Sequence, residues 1–461
     1  MKSKRKLIIA LSIIIFGNIN LQGQDNLKYR RSSLNMVLIE SDNFPNKETV
    51  VKTYKNHPFP AKYNEHSIAD KKFDISKVTL STKDMLDAGF YKDTLSGALK
   101  ITIAKTAAEK IGSTIRYINE EKTLAVIEPM DLLLYPAKIE KFIKEKQLAK
   151  QVATTWFNRK NDGTLDEKLI IERGMYSASE SDKDAASAGA DDMQTLLFDI
   201  DLIGNTFIVF NKLTFIKNEP AARLIMEVAK AAIEAKEKPM NPTMKEMAFK
   251  AIDKAYDLGK VGYTVLARSW LYKLDWSKEI AEDFYFRYDK SNEDRLKNWE
   301  NDTLLKLKYV GSETAQSLVT FSLTNKSRTQ EEIIAVAVDR IIDNTFSKLQ
   351  KEYVVFRPVT PVTSVEPLTA RIGLKEGLEH GQKYEILEYA MGQNGFPALQ
   401  RIGKVKVDKK TPIWDNRLGA ELEKLLDANG IELPKKEFNP FTTFKGGKKA
   451  VPGMHFIRLL K

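Results

Sequence analysis

Glycines at 373, 377 and 381 punctuate the segment GLKEGLEHGQKYEIL (373–387), and glycine-rich stretches that carry lysine are where chains cradle phosphate. A phosphate loop needs GxxxxGK followed by Ser or Thr, so that backbone N–H groups, a lysine and a magnesium-binding hydroxyl converge. Here the spacing is wrong, and KYEIL, which follows, is strand-forming. FKGGKK (444–449) likewise lacks the hydroxyl and the following helix. The first segment is therefore expected to turn tightly into a strand. Gly377 and Gly381 permit those turns, and His380 sits exposed at one of them.

Other chemistries fail on spacing too. The four histidines, His57, His66, His380 and His455, are far from any HExxH arrangement. There is no cysteine, which excludes disulfides, thiol catalysis and Cys-ligated zinc. No GxSxG elbow occurs, and the single Ser-x-x-Lys, Ser3 to Lys6, lies in the N-terminal segment. In NRKNDGTLDEKL (158–169) a calcium loop would place Lys160 and Leu169 where oxygen ligands are needed, so a turn at Asn-Asp-Gly is favoured. Asp182, Asp184, Asp191 and Asp192 read as two ends of one helix. No cofactor and no metal are expected. The two acids of a glycosidase need no local motif, so that activity stays open.

Two side-chain groups could bind a partner or a polar ligand. WFNRKNDG and IIERGMYSASESD supply Trp156, Asn158, Arg159, Arg173 and Tyr176, although core packing and local ion pairs would use the same residues. Trp270, Tyr272, Leu274 and Trp276 alternate, so they share one face of a strand. Exposed, that face would suit glycan; buried, it would pack on the 219–260 helices, the commoner use of an amphipathic strand.

These residues must be held by regular elements. Strands are expected at Leu34–Ile39, 123–131 and 205–216, and helices at 97–118, 135–157, 181–199, 219–238 and 243–260. Residues 262–323 resemble a β-meander that includes IAEDFYFRYD as a strand. The helix over 329–353 opens with Thr329 as N-cap and Glu332 at the capping-box position. RPVTPVTSVEP (357–367), with three prolines, reads as an extended linker. Beyond it lie the strand-like runs TARIGLK, KYEILEYA, LQRIGKVKV and MHFIRLLK, the last expected to pair into a sheet.

The N-terminus gives the compartment. MKSKRK precedes the apolar run Leu7–Phe16 and a polar stretch, the pattern of a secretory signal. The run is about half of the ~20 residues needed to span a bilayer. Cleavage is expected near Gln24–Asp25, with retention as an N-terminal anchor the alternative. Removing 1–24 takes away Lys2, Lys4, Arg5 and Lys6, so the net charge of +11 falls by four to +7. Export argues against nucleic acid as a partner, and a basic exported protein could meet an anionic membrane surface or acidic glycan. With 461 residues, 43% hydrophobic and 29% charged, the chain can bury a sizeable core without disulfides.

The chain resembles uncharacterised exported proteins of Bacteroidetes-type bacteria through YRRSSL (29–34), WFNR (156–159), ERGMYSASESD (172–182), LIGNTFIVFN (202–211), IGLKEGLEHGQKYEILE (372–388) and IGKVKV (402–407). Its tail is similar to small C-terminal β-domains of periplasmic assembly proteins of the flagellar assembly T type. Gly373, Gly377, Leu378, Gly381, Tyr384 and Ile386 fit the glycine-rich hairpin of those domains, and Ile402, Gly403, Val405 and Val407 fit the following strand. The resemblance implies an envelope location and a small β-fold.

Together these readings predict an α+β protein: a signal peptide (1–24), helices packed on antiparallel sheet (25–356, with a possible subdomain break near 240–262), a Pro-rich linker (357–367) and a small C-terminal β-barrel-like domain (368–461). The expected function is a non-catalytic exported cell-envelope protein, in the periplasm, at the outer membrane or outside the cell, that binds an envelope protein or surface. The alternatives are a glycan-binding or glycan-hydrolysing protein and an N-terminally anchored scaffold.

Overall fold

The computed structural model describes residues 32–57, 63–65, 68–81, 101–102, 125–126, 134–170, 202–235, 241–320, 329–391, 397–417, 440–447, 450–452 and 455–460. The signal segment, the helix expected at 181–199 with its four aspartates, and most of 97–118 and 123–131 lie outside them.

Strand β1 (Ser32–Ile39) is the apolar run anticipated near the start of the chain. It pairs in parallel with β2 (Tyr63–Glu65), β3 (Lys72–Phe73) and β6 (Thr206–Lys217). Strands β6, β7 (Gly262–Leu274) and β8 (Leu307–Thr320) then run antiparallel, in the order β2-β1-β6-β7-β8. The sheet is therefore mixed, where a purely antiparallel one was expected. The apolar-rich β1 returns beside β6 only after a long crossover, and such crossovers generate parallel neighbours. A separate pair, β4 (Ile101–Thr102) with β5 (Ala125–Val126), shows that residues 101–102 are strand, not helix.

Both faces of the sheet are covered, because alternate residues of its long strands are apolar on each side. One face carries Leu34, Leu38, Phe207, Val209, Val265 and Leu271 and packs on α1 (Lys47–Asn56) and α8 (Gln330–Glu352). The other carries Val37, Ile208, Phe210, Trp270 and Tyr272 and packs on α2 (Tyr135–Glu145), α3 (Leu148–Trp156) and α6 (Lys278–Tyr288).

Several helices follow their sequence signals closely. Thr329 Oγ1 accepts from Glu332 N at 3.2 Å and Glu332 accepts from Thr329 N at 2.7 Å, the expected capping box of α8. The single helix expected over 135–157 divides at Gln147, whose φ of 49° reverses the chain. The break lets Leu148, Val152 and Trp156 join Ile139 and Phe142 in one core. IAEDFYFRYD is a helix rather than a strand. Phe284 and Tyr288 are buried one turn apart while Phe286 is 77% exposed, a helical period beneath a β-prone composition. Ser277 caps it, accepting from Ile280 N.

Helices α4 (Glu219–Glu234) and α5 (Pro242–Gly259) join β6 to β7. Those strands pair from Phe207–Lys273 to Lys217–Tyr263. Helix α7 (Arg295–Glu300) precedes β8.

Among the described residues the C-terminal part has six strands: β9 (Thr360–Val365), β10 (Leu368–Ala370), β11 (Lys383–Met391), β12 (Pro397–Val407), β13 (Thr442–Gly446) and β14 (Phe456–Leu459). They pair in a closed circuit, β10-β13-β12-β11-β14-β9, with β9 returning to β10. Inside are Val362, Ala370, Tyr384, Ile386, Val405, Phe444 and Ile457. The stretch expected to be a linker thus contributes a strand. Pro361 is tolerated at the beginning of that strand, opposite Phe456. Among the described residues no helix is long and apolar enough to cross a membrane.

Candidate functional site: a buried ionic junction

Trp156, Trp270 and Trp276 come together inside the molecule, with exposures of 0, 1 and 7%. Trp156 ends α3, and its indole N–H donates to Thr206 Oγ1 on β6 at 2.7 Å. The Trp270 ring lies 5.7 Å from that of Tyr135, and Trp276 lies 5.1 Å from Phe284. The alternation along β7 is real, but its aromatic face packs on α2, α3 and α6 rather than on the 219–260 helices. These tryptophans therefore present no platform on which a sugar could stack.

Asn158 and Arg159 stay nearer the surface. Asn158 Nδ2 donates to Asp166 Oδ2 at 3.4 Å. The Arg159 guanidinium lies 4.5 Å over the Trp299 ring, a cation–π contact that holds the loop to α7. Asp162 accepts from both the N–H and the hydroxyl of Thr164, and Gly163 has φ of 84°, so the Asn-Asp-Gly stretch is a turn. Arg173 and Tyr176 lie outside the described residues.

A different group of side chains meets where the C-terminal strands dock. His57 follows α1, whose Val50 and Tyr54 are buried and fix the direction of the chain. Its Nδ1 is 2.8 Å from Asp339 Oδ1 and its Nε2 is 3.6 Å from Asp343 Oδ1, both carboxylates on α8. From the other side, Lys375 Nζ reaches Asp343 Oδ1 at 3.0 Å. The side chains of His57, Asp343, Lys375 and Asp339 are 0, 1, 13 and 19% exposed.

Lys375 belongs to the glycine-punctuated segment, and that segment is built to deliver it. Residues 374–376 form a single 3₁₀ turn. Glu376 Oε2 accepts from Gly373 N at 2.7 Å and from Asn416 Nδ2 at 2.8 Å, while Asn416 Oδ1 accepts from Lys375 N at 2.8 Å. Gly377 has φ of 73°, and a Cβ there would strike Ser347 Oγ and approach Lys351 Cε to 2.6 Å. Only glycine lets the turn lie this close to α8. Gly381, with φ of 79°, and exposed His380 behave as the sequence predicts. Lys351–Glu379 at 2.5 Å, and Arg357 donating to Lys351 O at 2.9 Å and Leu459 O at 3.3 Å, extend the polar seam.

Burial alone would keep His57 neutral. The hydrogen bond to Asp339 and the nearby Asp343 carboxylate outweigh it, against a smaller opposing effect of Lys375, and raise the ring above its ordinary pKa. Protonated His57 and Lys375 then balance the two carboxylates. A ring sealed from solvent cannot touch a substrate, so the chemistry this arrangement offers is proton binding. The sequence held one unread signal. Asp339 and Asp343 are spaced i,i+4 on a helix, where like charges repel unless cations lie between them.

Elsewhere, burial raises the Glu140 carboxyl, with Lys144 and the Tyr272 hydroxyl acting against that rise. Among the described residues no group of three or more His, Asp or Glu could hold a metal ion. Compared with protein-family models and with curated proteins, the chain matches none.

Proposed function

We propose that this chain is a non-catalytic exported protein of the cell envelope that binds a protein partner, and that residues 360–460 act as a small β-barrel module docked on the larger body. The observation that carries the partner reading is the α4–α5 hairpin. No residue of α4 is buried, and Val228, Met244 and Met247 are 38, 59 and 67% exposed. Soluble proteins rarely leave helix faces this apolar without a use for them, and methionine suits an adaptable contact surface. Export rests on the basic n-region and the apolar run Leu7–Phe16. The glycan alternative loses its main support with the burial of Trp270 and Trp276.

A photo-cross-linking residue at Met247, expressed in cells and compared with one at exposed Lys406 on β12, tests this reading. The expected result is a discrete adduct in the envelope fraction from position 247 only. Recovery of the protein in the cytoplasm, or glycan cleavage by the purified protein without an adduct, would overturn it.

A further inference from the structure

The outer face of the C-terminal barrel carries a row of like charges. Along β11, β12 and β13 the inward-pointing residues are Tyr384 and Ile386, Val405 and Val407, and Phe444. Their neighbours in sequence therefore point outward, and these include Lys383, Lys404, Lys406 and Lys445, all exposed. Pairing puts three of them in register. Lys383 stands opposite Lys406, and Lys406 stands opposite Lys445. Lys404 follows on the same face, and exposed Arg401, opposite Leu387, continues it past the bulge.

Adjacent strands are about 4.8 Å apart, inside the ~8 Å Debye length at physiological ionic strength. The lysines therefore repel one another, and like charges directly opposite destabilise a sheet. The two nearby carboxylates do little to relieve them. Asp408, itself buried, pairs with Lys445 at 2.8 Å. Glu385, opposite Lys404, is held by Arg458 at 2.8 Å. Among the described residues no carboxylate forms an ion pair with Lys383, Arg401, Lys404 or Lys406.

We propose that this face of the barrel docks on an anionic bilayer, its lysines meeting lipid phosphate groups. Charge complementarity argues for it. The negative potential at a bilayer surface attracts each nearby Lys or Arg, strengthening binding about fivefold per residue. The geometry favours a bilayer over an acidic glycan. The charges lie on the outside of a barrel, spread across three strands, and none of these cations is neighboured on its face by a ring on which a sugar could stack. The lipid surface is a contact additional to the protein partner proposed above, and the two readings share only the envelope location.

Co-sedimentation of the purified mature protein with vesicles tests this. The vesicles are phosphatidylcholine alone, or phosphatidylcholine and phosphatidylglycerol in equal parts. Binding is expected only to the second, and it should fall as salt is added. Lys404→Gln combined with Lys406→Gln should weaken that binding about 25-fold, at about fivefold per lysine. Lys52→Gln combined with Lys55→Gln removes the same charge from exposed positions on α1 and should leave binding unchanged. Equal losses in the two double variants would mean that net charge alone is sensed, and would overturn the proposal. So would equal binding to neutral vesicles, or no binding to either kind. Tighter binding to polygalacturonate than to the anionic vesicles would overturn it in favour of an acidic glycan. A lipid contact yields no protein adduct, so the cross-linking comparison of Met247 with Lys406 reports separately on the protein partner.

Discussion

Trp156 serves the fold if it is core and serves a ligand if it is a site residue, and a three-variant cycle separates the two. The indole is fully buried and donates to Thr206 Oγ1 at 2.7 Å, with Thr206 also fully buried. Thr206→Val keeps the shape and removes that acceptor, which costs about 1–3 kcal/mol when a buried donor loses its partner. Trp156→Phe removes the donor and part of the ring. Scaled from the 3–5 kcal/mol typical of Trp→Ala, it should cost about 2–3 kcal/mol. In the double variant the lost hydrogen bond is counted once, so its cost should fall short of the sum by about 1 kcal/mol. Urea titration of the four proteins, followed by far-UV circular dichroism, yields these differences from the transition midpoints. Adduct formation at Met247 should survive in all variants that remain folded. A cost for Trp156→Phe below about 0.5 kcal/mol, together with a lost adduct, would refute the core assignment.

Two further outcomes are expected. Gly377→Ala forces a Cβ into Ser347 and Lys351 at a left-handed backbone position. It should cost at least about 1–2 kcal/mol from conformation alone and expose the module to protease at lower urea than wild type; unchanged protection would show that α8 does not depend on this close approach. Burial holds the Glu140 carboxyl above its ordinary range, so the folded state favours the protonated form and loses stability as the pH rises through that raised value. Glu140→Gln should therefore unfold at higher urea than wild type near neutrality, with the gap closing toward about pH 4; a gap independent of pH would refute this.

Much of the architecture was legible where one periodicity dominates. Thr329 and Glu332 announced α8, and the alternation of Trp270, Tyr272 and Leu274 announced β7, because capping and pleat geometry are local. The aromatics of IAEDFYFRYD pointed to a strand, yet Phe284 and Tyr288 are one helical turn apart and packing decided the outcome. Whether the Trp270 face was wet or dry, and what covered it, depended on α2, α3 and α6, elements distant in sequence. The parallel pairing of β1 with β6 is also nonlocal. So is the junction: His57, Asp343 and Lys375 are separated by hundreds of positions in the case of His57, and their types alone do not reveal that they meet. Only the i,i+4 aspartates of α8 carried a local trace of it.

The way α8 serves both parts explains why the seam is ionic. Its Ile334, Val338, Ile341 and Leu349 fill the core under β6 and β7, which makes the helix a rigid mount, and rigid mounts are where charged constellations keep their geometry. Asp339 and Asp343 are carried on that mount, so their positions are set by the body whether or not the module is docked. The module brings Lys375 on a turn braced by Glu376 and Asn416, and therefore also arrives with its charge preformed. Two preformed polar surfaces resemble a partner interface more than a divided core. Apolar burial would join them almost independently of pH. A complete charge set is favourable only while every member is charged, and removing one partner of a buried pair costs about 3–5 kcal/mol. The buried contact that crosses the seam is Lys375 Nζ with Asp343 Oδ1 at 3.0 Å, so the stability of the seam depends first on that pair.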